Sequence, residues 1–278
     1  MSTLSRTLGD VRKLPLSTLF GLVVICSYVF VAFFAPVIAP YGEAEIVGGR
    51  HELWSSEFIF GTDQLGRDML TRLIYGARNT LGIAFLTTLI AFGLGTIMGL
   101  LAATLGRWMD MAISRFVDVI MAIPGLIFSL LLLTIFGTSL TSLVLVIAFV
   151  DSARVFRLAR SVAMGIVVMD YVEAARLRGE GLWWVIKDEV LPNAAPPLIA
   201  EFGLRFCFVF LSISALSFLG LGIQPPLADW GSMVRENATL ITFGDITPLL
   251  PAGAIALLTV SVNFIVDWML HKSSGLKD

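Results

Sequence analysis

Within the apolar stretch from Pro197 to Ile223, two ionisable residues stand four apart, Glu201 and Arg205. On a helix that spacing places them on one face, with the acid ahead of the base in the favourable order. At about 1.5 Å rise per residue, Arg205 lies about 12 Å beyond Pro197, near the midplane of a membrane-spanning helix. Charges at that depth face a bundle interior or a wet cavity. Two roles suit the pair: lining a pathway, where Arg205 would meet a substrate carboxylate, or neutralising itself while pinning its helix to a neighbour. A second constellation, Arg154, Arg157 and Arg160, recurs every three residues and so clusters on one helical face. Other chemistry is sparse. Cys26 and Cys207 lie inside apolar runs and read as packing residues. His51 and His271 stand apart from each other and from any metal-ligand cluster, so no metal site is expected.

These charges matter because so little of the chain is charged. Of 278 residues, 57% are hydrophobic and 14% charged, against roughly 25% charged in a soluble domain. Lipid must be part of the solvent. Four lysines and fifteen arginines are too few and too dispersed to line a polyanion groove, which excludes nucleic acid as a partner.

A hydrocarbon core needs about 20 apolar residues per helix. The first such run, 16–40, is too long for the roughly 7–15-residue core of a signal peptide, and is expected to be retained. Further spans are expected at about Thr80–Leu105, at Val119–Phe136 with a kink at Pro124-Gly125, at Leu140–Phe156, at Pro197–Ile223 and at Pro248–Leu270. Gly82, Gly93, Gly95 and Gly99 in the second would let a neighbouring helix approach closely. With the N-terminus inside, the inner segments carry 13 Lys and Arg over 79 residues and the outer segments 5 over 65. That bias satisfies the positive-inside rule. The expected fold is therefore an all-α integral membrane protein of six transmembrane helices with both termini cytoplasmic. It divides into a tail 1–15, a first helix 16–40, an outer segment 41–79, a five-helix core 80–270 and a tail 271–278.

The longest inner segment, about 151–193, is more than a tether. Asp170 opens a short helix with acids in its first turn and bases after, which suits the helix dipole. Gly179-Glu180-Gly181 breaks it, and Trp183 and Trp184 follow before Leu191-Pro192-Asn193. Exposed Ala and Leu beside an aromatic patch call for a cover, either lipid headgroups or a partner protein. In the outer segment, Asp68 can cap a helix whose Met69, Leu70, Leu73, Ile74 and Ala77 share one apolar face. That describes an amphipathic helix at the outer interface feeding the second span.

Glu173-Ala174-Ala175, three residues, Gly179 and then a spacer to Leu191-Pro192 resembles the EAA motif of ABC importer permeases. Gly61-Thr62-Asp63-Gln64-Leu65-Gly66-Arg67-Asp68, followed by Arg72, Tyr75-Gly76 and Arg78, is similar to the outer signature of dipeptide, oligopeptide and nickel permeases, with Thr71 where serine is usual. Ala215–Gly222 with Gln224-Pro225-Pro226 and Trp230-Gly231 is a third match, pointing to the C-type subunit. The chain departs from that branch at Glu189, where the motif has isoleucine, at Ile213, where glutamate is common, and after Asp267.

The resemblance implies a permease subunit enclosing half of a pathway for peptides or related solutes, nickel complexes being the alternative cargo. It implies a homologous second permease, two ATP-binding subunits and an extracytoplasmic solute-binding protein. It also implies a bacterial or archaeal cell membrane, the inner one in a Gram-negative cell. The stretch 157–193, with Glu173, Ala174, Ala175, Gly179, Trp183, Leu191 and Pro192, would couple to the ATPases. Gly61, Thr62, Asp63, Gly66, Arg67 and Asp68 form the outer signature. None of Lys13, Lys187, Lys272 and Lys277 follows a glycine, so the phosphate loop is absent. ATP and Mg2+ would belong to partner subunits, this chain would need no cofactor, and it would be a conduit rather than an enzyme. A secondary transporter would show internal repeats and broken helices with ion ligands, and no convincing repeat relates the halves. A membrane-embedded enzyme would need paired catalytic groups within its spans, and only Glu201 and Arg205 are on offer.

Overall fold

The computed structural model describes residues 15–274, so 1–14 of the expected tail 1–15 and 275–278 of the expected tail 271–278 lie outside the described residues. Nine α-helices account for most of these residues: α1 (Leu16–Ile38), α2 (Met69–Leu105), α3 (Arg107–Ala122), α4 (Gly125–Phe136), α5 (Leu140–Val167), α6 (Asp170–Leu177), α7 (Leu182–Phe218), α8 (Trp230–Asn237) and α9 (Leu249–Ser274). Among the described residues, α1, α2, α7 and α9 are long and apolar enough to cross a bilayer, and a fifth span results if α3 and α4 count as one. The six expected spans thus reduce to four or five by length and composition. The sixth candidate, α5, holds Asp151, Arg154, Arg157 and Arg160, too many charges for an apolar window.

Three expected boundaries shift. The outer amphipathic helix and the second span are one continuous helix, α2, of 37 residues, about 55 Å long. Asp68 caps it as expected, accepting from the Thr71 amide at 2.7 Å, but Met69, Ile74 and Ala77 are buried by protein. The kink at Pro124 is a 90° corner between two helices, α3 and α4. Leu191-Pro192 continues the fifth span instead of ending the loop before it. Pro192 has no amide hydrogen for the Asp188 carbonyl, and the turns just before it, Val185–Val190, widen into a π-helix.

The core is laid down by α2 and α5. A Cβ on Gly95 would lie 2.5 Å from the Ser152 carbonyl oxygen, and one on Gly99 2.8 Å from the Ala159 Cβ. The two backbones therefore touch, as small residues at a helix crossing allow. Gly82 and Gly93 face open space instead. The largest apolar cluster joins Leu81 and Ala84 of α2, Leu143 and Ile147 of α5, Phe210 and Ile213 of α7, Leu258 of α9 and Trp230 of α8.

Candidate functional site

At its C-terminal end, α5 runs through Val168-Met169 into α6, whose first turn holds Asp170 and Glu173 and whose last holds Arg176. Gly179 takes φ +86° to end the helix, and the Glu180 amide closes back on the Ala175 carbonyl at 3.2 Å. One face of the loop is anchored: Val172, Ala175, Val185, Ile186 and Val190 pack with Leu100 and Ala163 into their own cluster. The Arg176 guanidinium donates to the Thr104 carbonyl at the end of α2, at 3.4 Å. The other face is open. Leu177 is 83% exposed and Trp183 66%, and Glu173, Ala174, Gly179, Leu191 and Pro192 are exposed beside them. Of the seven residues expected to couple, only Ala175 is buried. Large exposed apolar side chains on an ordered helix call for a cover, lipid headgroups or a partner protein.

Further into the bundle, Arg205 donates to Glu201 at 2.9 Å and to Asp151 at 3.5 Å, with its guanidinium 5.0 Å from the centre of the Phe208 ring. It is 8% exposed. Asp151 also accepts from Arg154 at 2.9 Å. Sequence reasoning placed Asp151 at the start of the inner loop, where the structure shows it buried within α5. The signal lay in its spacing three residues ahead of Arg154, which puts it in the same helical row. The pair thus becomes a triad tying α7 to α5. The remaining arginines of the row turn to α3: Arg157 donates to Asp118 at 2.8 Å, and Arg160 holds both oxygens of Asp110.

The outer signature folds inward. Asp63 is fully buried, accepting from the Leu65 amide at 2.8 Å, the Arg67 amide at 3.0 Å and Arg67 Nε at 2.7 Å. Arg72 Nε lies 3.3 Å from the same carboxylate, and both arginines lie 3.6 Å from Glu236 of α8. Gly61 and Gly66 adopt φ +71° and +82°, and a Cβ on either would meet a loop carbonyl oxygen at under 2.5 Å. Thr62 donates to the Gly49 carbonyl at 2.7 Å and caps the Glu52 amide at 2.8 Å, which pins the preceding loop.

The third signature meets the second here. The Trp230 indole donates to the Leu73 carbonyl at 3.0 Å, and its ring leaves room at Gly76 for no side chain, a Cβ falling 2.7 Å away. Gly231 likewise lets α8 touch the Ser214 carbonyl of α7. Asp229 caps α8 through the Gly231 and Ser232 amides, and burial pushes its carboxyl up from the ordinary range against those hydrogen bonds. Glu236, which closes the charge lattice, carries no sequence signal beyond its distance from the motif.

Residues 94–273 match the family described as binding-protein-dependent transport system inner membrane component. The chain is 36% identical over 259 residues to a dipeptide transport system permease protein of Alkalihalophilus pseudofirmus, covering 93% of this chain and 83% of that one. It is 36% identical over 270 residues to a di/tripeptide transport system permease protein of Pseudomonas aeruginosa, covering 93% and 85%. Identity is 30% over 250 residues with a glutathione transport system permease protein of Pectobacterium atrosepticum, covering 89% and 81%. In fold, 73% of the chain superposes on 94% of a chain from a crystal structure of an amino acid ABC transporter with histidines, with TM-score 0.55 and 21% identity. The apolar helices, the matched motifs and these likenesses agree: the chain belongs to the binding-protein-dependent transport system inner membrane component family, as a multi-pass ABC importer permease of the peptide branch and not an enzyme.

Proposed function

We propose that this chain forms half of a translocation pathway for peptides or closely related small solutes, docking to ATP-hydrolysing subunits through the loop 157–193. The open apolar face of that loop carries the reading. Leu177 and Trp183 project from a helix pair whose opposite face is anchored to α2 and α5, so a push on the patch reaches the spans. The partners on this reading are a homologous second permease, two ATPase subunits that bind ATP and Mg2+, and an extracytoplasmic solute-binding protein. Both termini lie inside and α5 counts as a crossing, its charges neutralised by α3 and α7, which with the α3–α4 pair restores six spans in a bacterial inner membrane. Relatives named for dipeptide, di/tripeptide and glutathione transport favour a peptide cargo over nickel complexes.

The engagement of Arg205 by two carboxylates supports a joint between α5 and α7 over a substrate contact. An Arg205→Gln variant that still assembles separates the two: altered cargo selectivity favours the pathway, reduced assembly at unchanged selectivity the joint. The experiment for the function itself is co-purification of the tagged chain with ATPase and second-permease subunits from its native membranes, followed by peptide uptake into proteoliposomes. ATP-dependent uptake that is lost when residues 170–184 are scrambled supports the proposal. Uptake that survives scrambling refutes it.

A further inference from the structure

Helix α3 hangs between two joints. At its start, Gly106 takes φ +70° and Arg107 φ +26°, and a Cβ on Gly106 would meet nothing within 4 Å. An arginine in left-handed backbone is strained, and the empty space around Gly106 leaves the joint free to turn. At its end, the Ile123-Pro124-Gly125 corner turns the chain through 90° into α4. Between the joints α3 is a stiff rod of 16 residues.

What holds the rod is uneven. Its second half packs by Val117 and Ile120 against Ala102, Ala153 and Phe156. Its first half is tied across by Asp110 to Arg160, and Asp118 beyond it by Arg157. Both pairs reach solvent, and Arg157 and Asp118 are each about half exposed. A cavity of about 370 Å³, lined by Ser114, Asp118, Phe156, Arg157 and Arg160, separates the two helices here. The contrast with the other side of α5 is sharp, where Gly95 and Gly99 bring α2 into backbone contact. So α5 touches α2 backbone to backbone, and α3 is held to it by one apolar cluster and two ion pairs. The pairs are also close to the coupling loop, Arg160 standing seven residues before the end of α5 at Val167.

We infer that α3 is a hinged latch, held to α5 by the Asp110–Arg160 and Asp118–Arg157 pairs and released when the coupling loop displaces α5. Turning about Gly106 and the Pro124 corner then moves α4, the wall to which α3 is joined. The polar gap gives the latch room to part; the half-exposed Asp118–Arg157 pair is of the weak surface kind, and the part-buried, two-oxygen Asp110–Arg160 pair is the stronger hold. The inference rests on the coupling reading proposed above.

The test uses the complete complex in proteoliposomes. In a Cys26→Ser background, which leaves buried Cys207 in place, Asp110→Cys and Arg160→Cys are bridged by a reducible bis-methanethiosulfonate linker. Bridging is expected to cut peptide uptake at least tenfold, and reductant to restore it. Separately, Arg160→Gln, which removes the two-oxygen grip on Asp110, is expected to raise ATP turnover per peptide imported at least about twofold. The swapped pair Asp110→Arg with Arg160→Asp should return the ratio to the wild-type value. A bridged complex that transports at the unbridged rate overturns the latch, as does a swapped pair no better than Arg160→Gln. Failure of the coupling reading looks different, because wild-type chain would then purify without ATPase subunits.

Discussion

Asp63 is the point at which the outer signature can be made to fail by one atom's worth of chemistry. It is fully buried and, with Glu236, supplies the carboxylates that pair with Arg67 and Arg72, Glu43 adding a further negative charge near Arg72. Asp63→Asn keeps an oxygen for the Leu65 and Arg67 amides while taking the Asp63–Arg67–Arg72–Glu236 cluster from neutral to one net positive charge. Arg72, 2% exposed, suffers most. Its Nε and Nη1 make no aligned hydrogen bond among the described residues, and Glu236 stays 3.6 Å away. Breaking a buried pair by removing one partner costs about 3–5 kcal/mol. For a chain of this size that corresponds to roughly 6–20 °C in unfolding midpoint. The assay is scanning fluorimetry of the detergent-purified complex at fixed scan rate. The decisive comparison is the double variant Asp63→Asn with Arg72→Gln, which returns the cluster to neutrality and is expected to recover more than half of the loss. An Asp63→Asn midpoint within 2 °C of wild type, or a double variant less stable than the sum of its singles, would refute the charge-balance argument.

Gly95→Val drives a side chain into the α5 backbone and is expected to abolish assembly, whereas Gly93→Ala, facing open space, leaves assembly and uptake unchanged in size-exclusion and transport assays. Leu177→Glu should release ATPase subunits in a pull-down while the unfolding midpoint of the permease itself stays within 2 °C of wild type, because the side chain contributes little burial. Because burial raises the Asp229 carboxyl, its contribution to stability is full below the ordinary carboxylate range and falls as pH rises through the raised value. Asp229→Asn keeps the cap without the decline, so it should match or exceed wild-type stability at pH 8, while Asp229→Ala loses about 1–2 kcal/mol at acid pH and a smaller amount as pH rises.

Much of this architecture is legible in residue order. Apolar length announces the spans, Asp68 announces its own cap, and the Gly179 break falls where the short helix ends. What escapes is anything set by a distant partner. Gly82, Gly93, Gly95 and Gly99 look alike in a list, yet only the last two face α5, and which face of a helix meets a neighbour is decided by packing. Asp151 sits where a hydropathy window ends an apolar run, because a window counts its charge as a cost and cannot see Arg205 on α7 pairing with it. Pro192 reads as a terminator, yet the helix absorbs it by widening one turn earlier. The outer motif is recognisable as a string, but its logic depends on Glu236, about 170 positions later in the chain.

On the orientation and coupling proposed above, the ion pairs sort by burial along the membrane normal, and that ordering has a mechanical meaning. At the outer face the Asp63–Arg67–Arg72–Glu236 lattice is buried on all sides, and at mid-depth Arg205 lies between Glu201 and Asp151. Removing water strengthens the attraction between charges and raises the cost of parting them, so these two joints are the costlier ones to open. At the inner face, Arg157–Asp118 and Arg160–Asp110 stand in reach of water, which takes over each partner as the other leaves. A transport subunit driven from inside needs this gradient. If the inner ties were as dry as the outer ones, motion of the loop would be resisted at its source. If the outer lattice were as wet as the inner ties, the same motion would dissipate before reaching α8. Burying the inner pairs, for instance by Ser114→Leu filling the cavity between α3 and α5, should therefore stabilise the subunit and slow uptake together. Removing charge from the outer lattice should lower both.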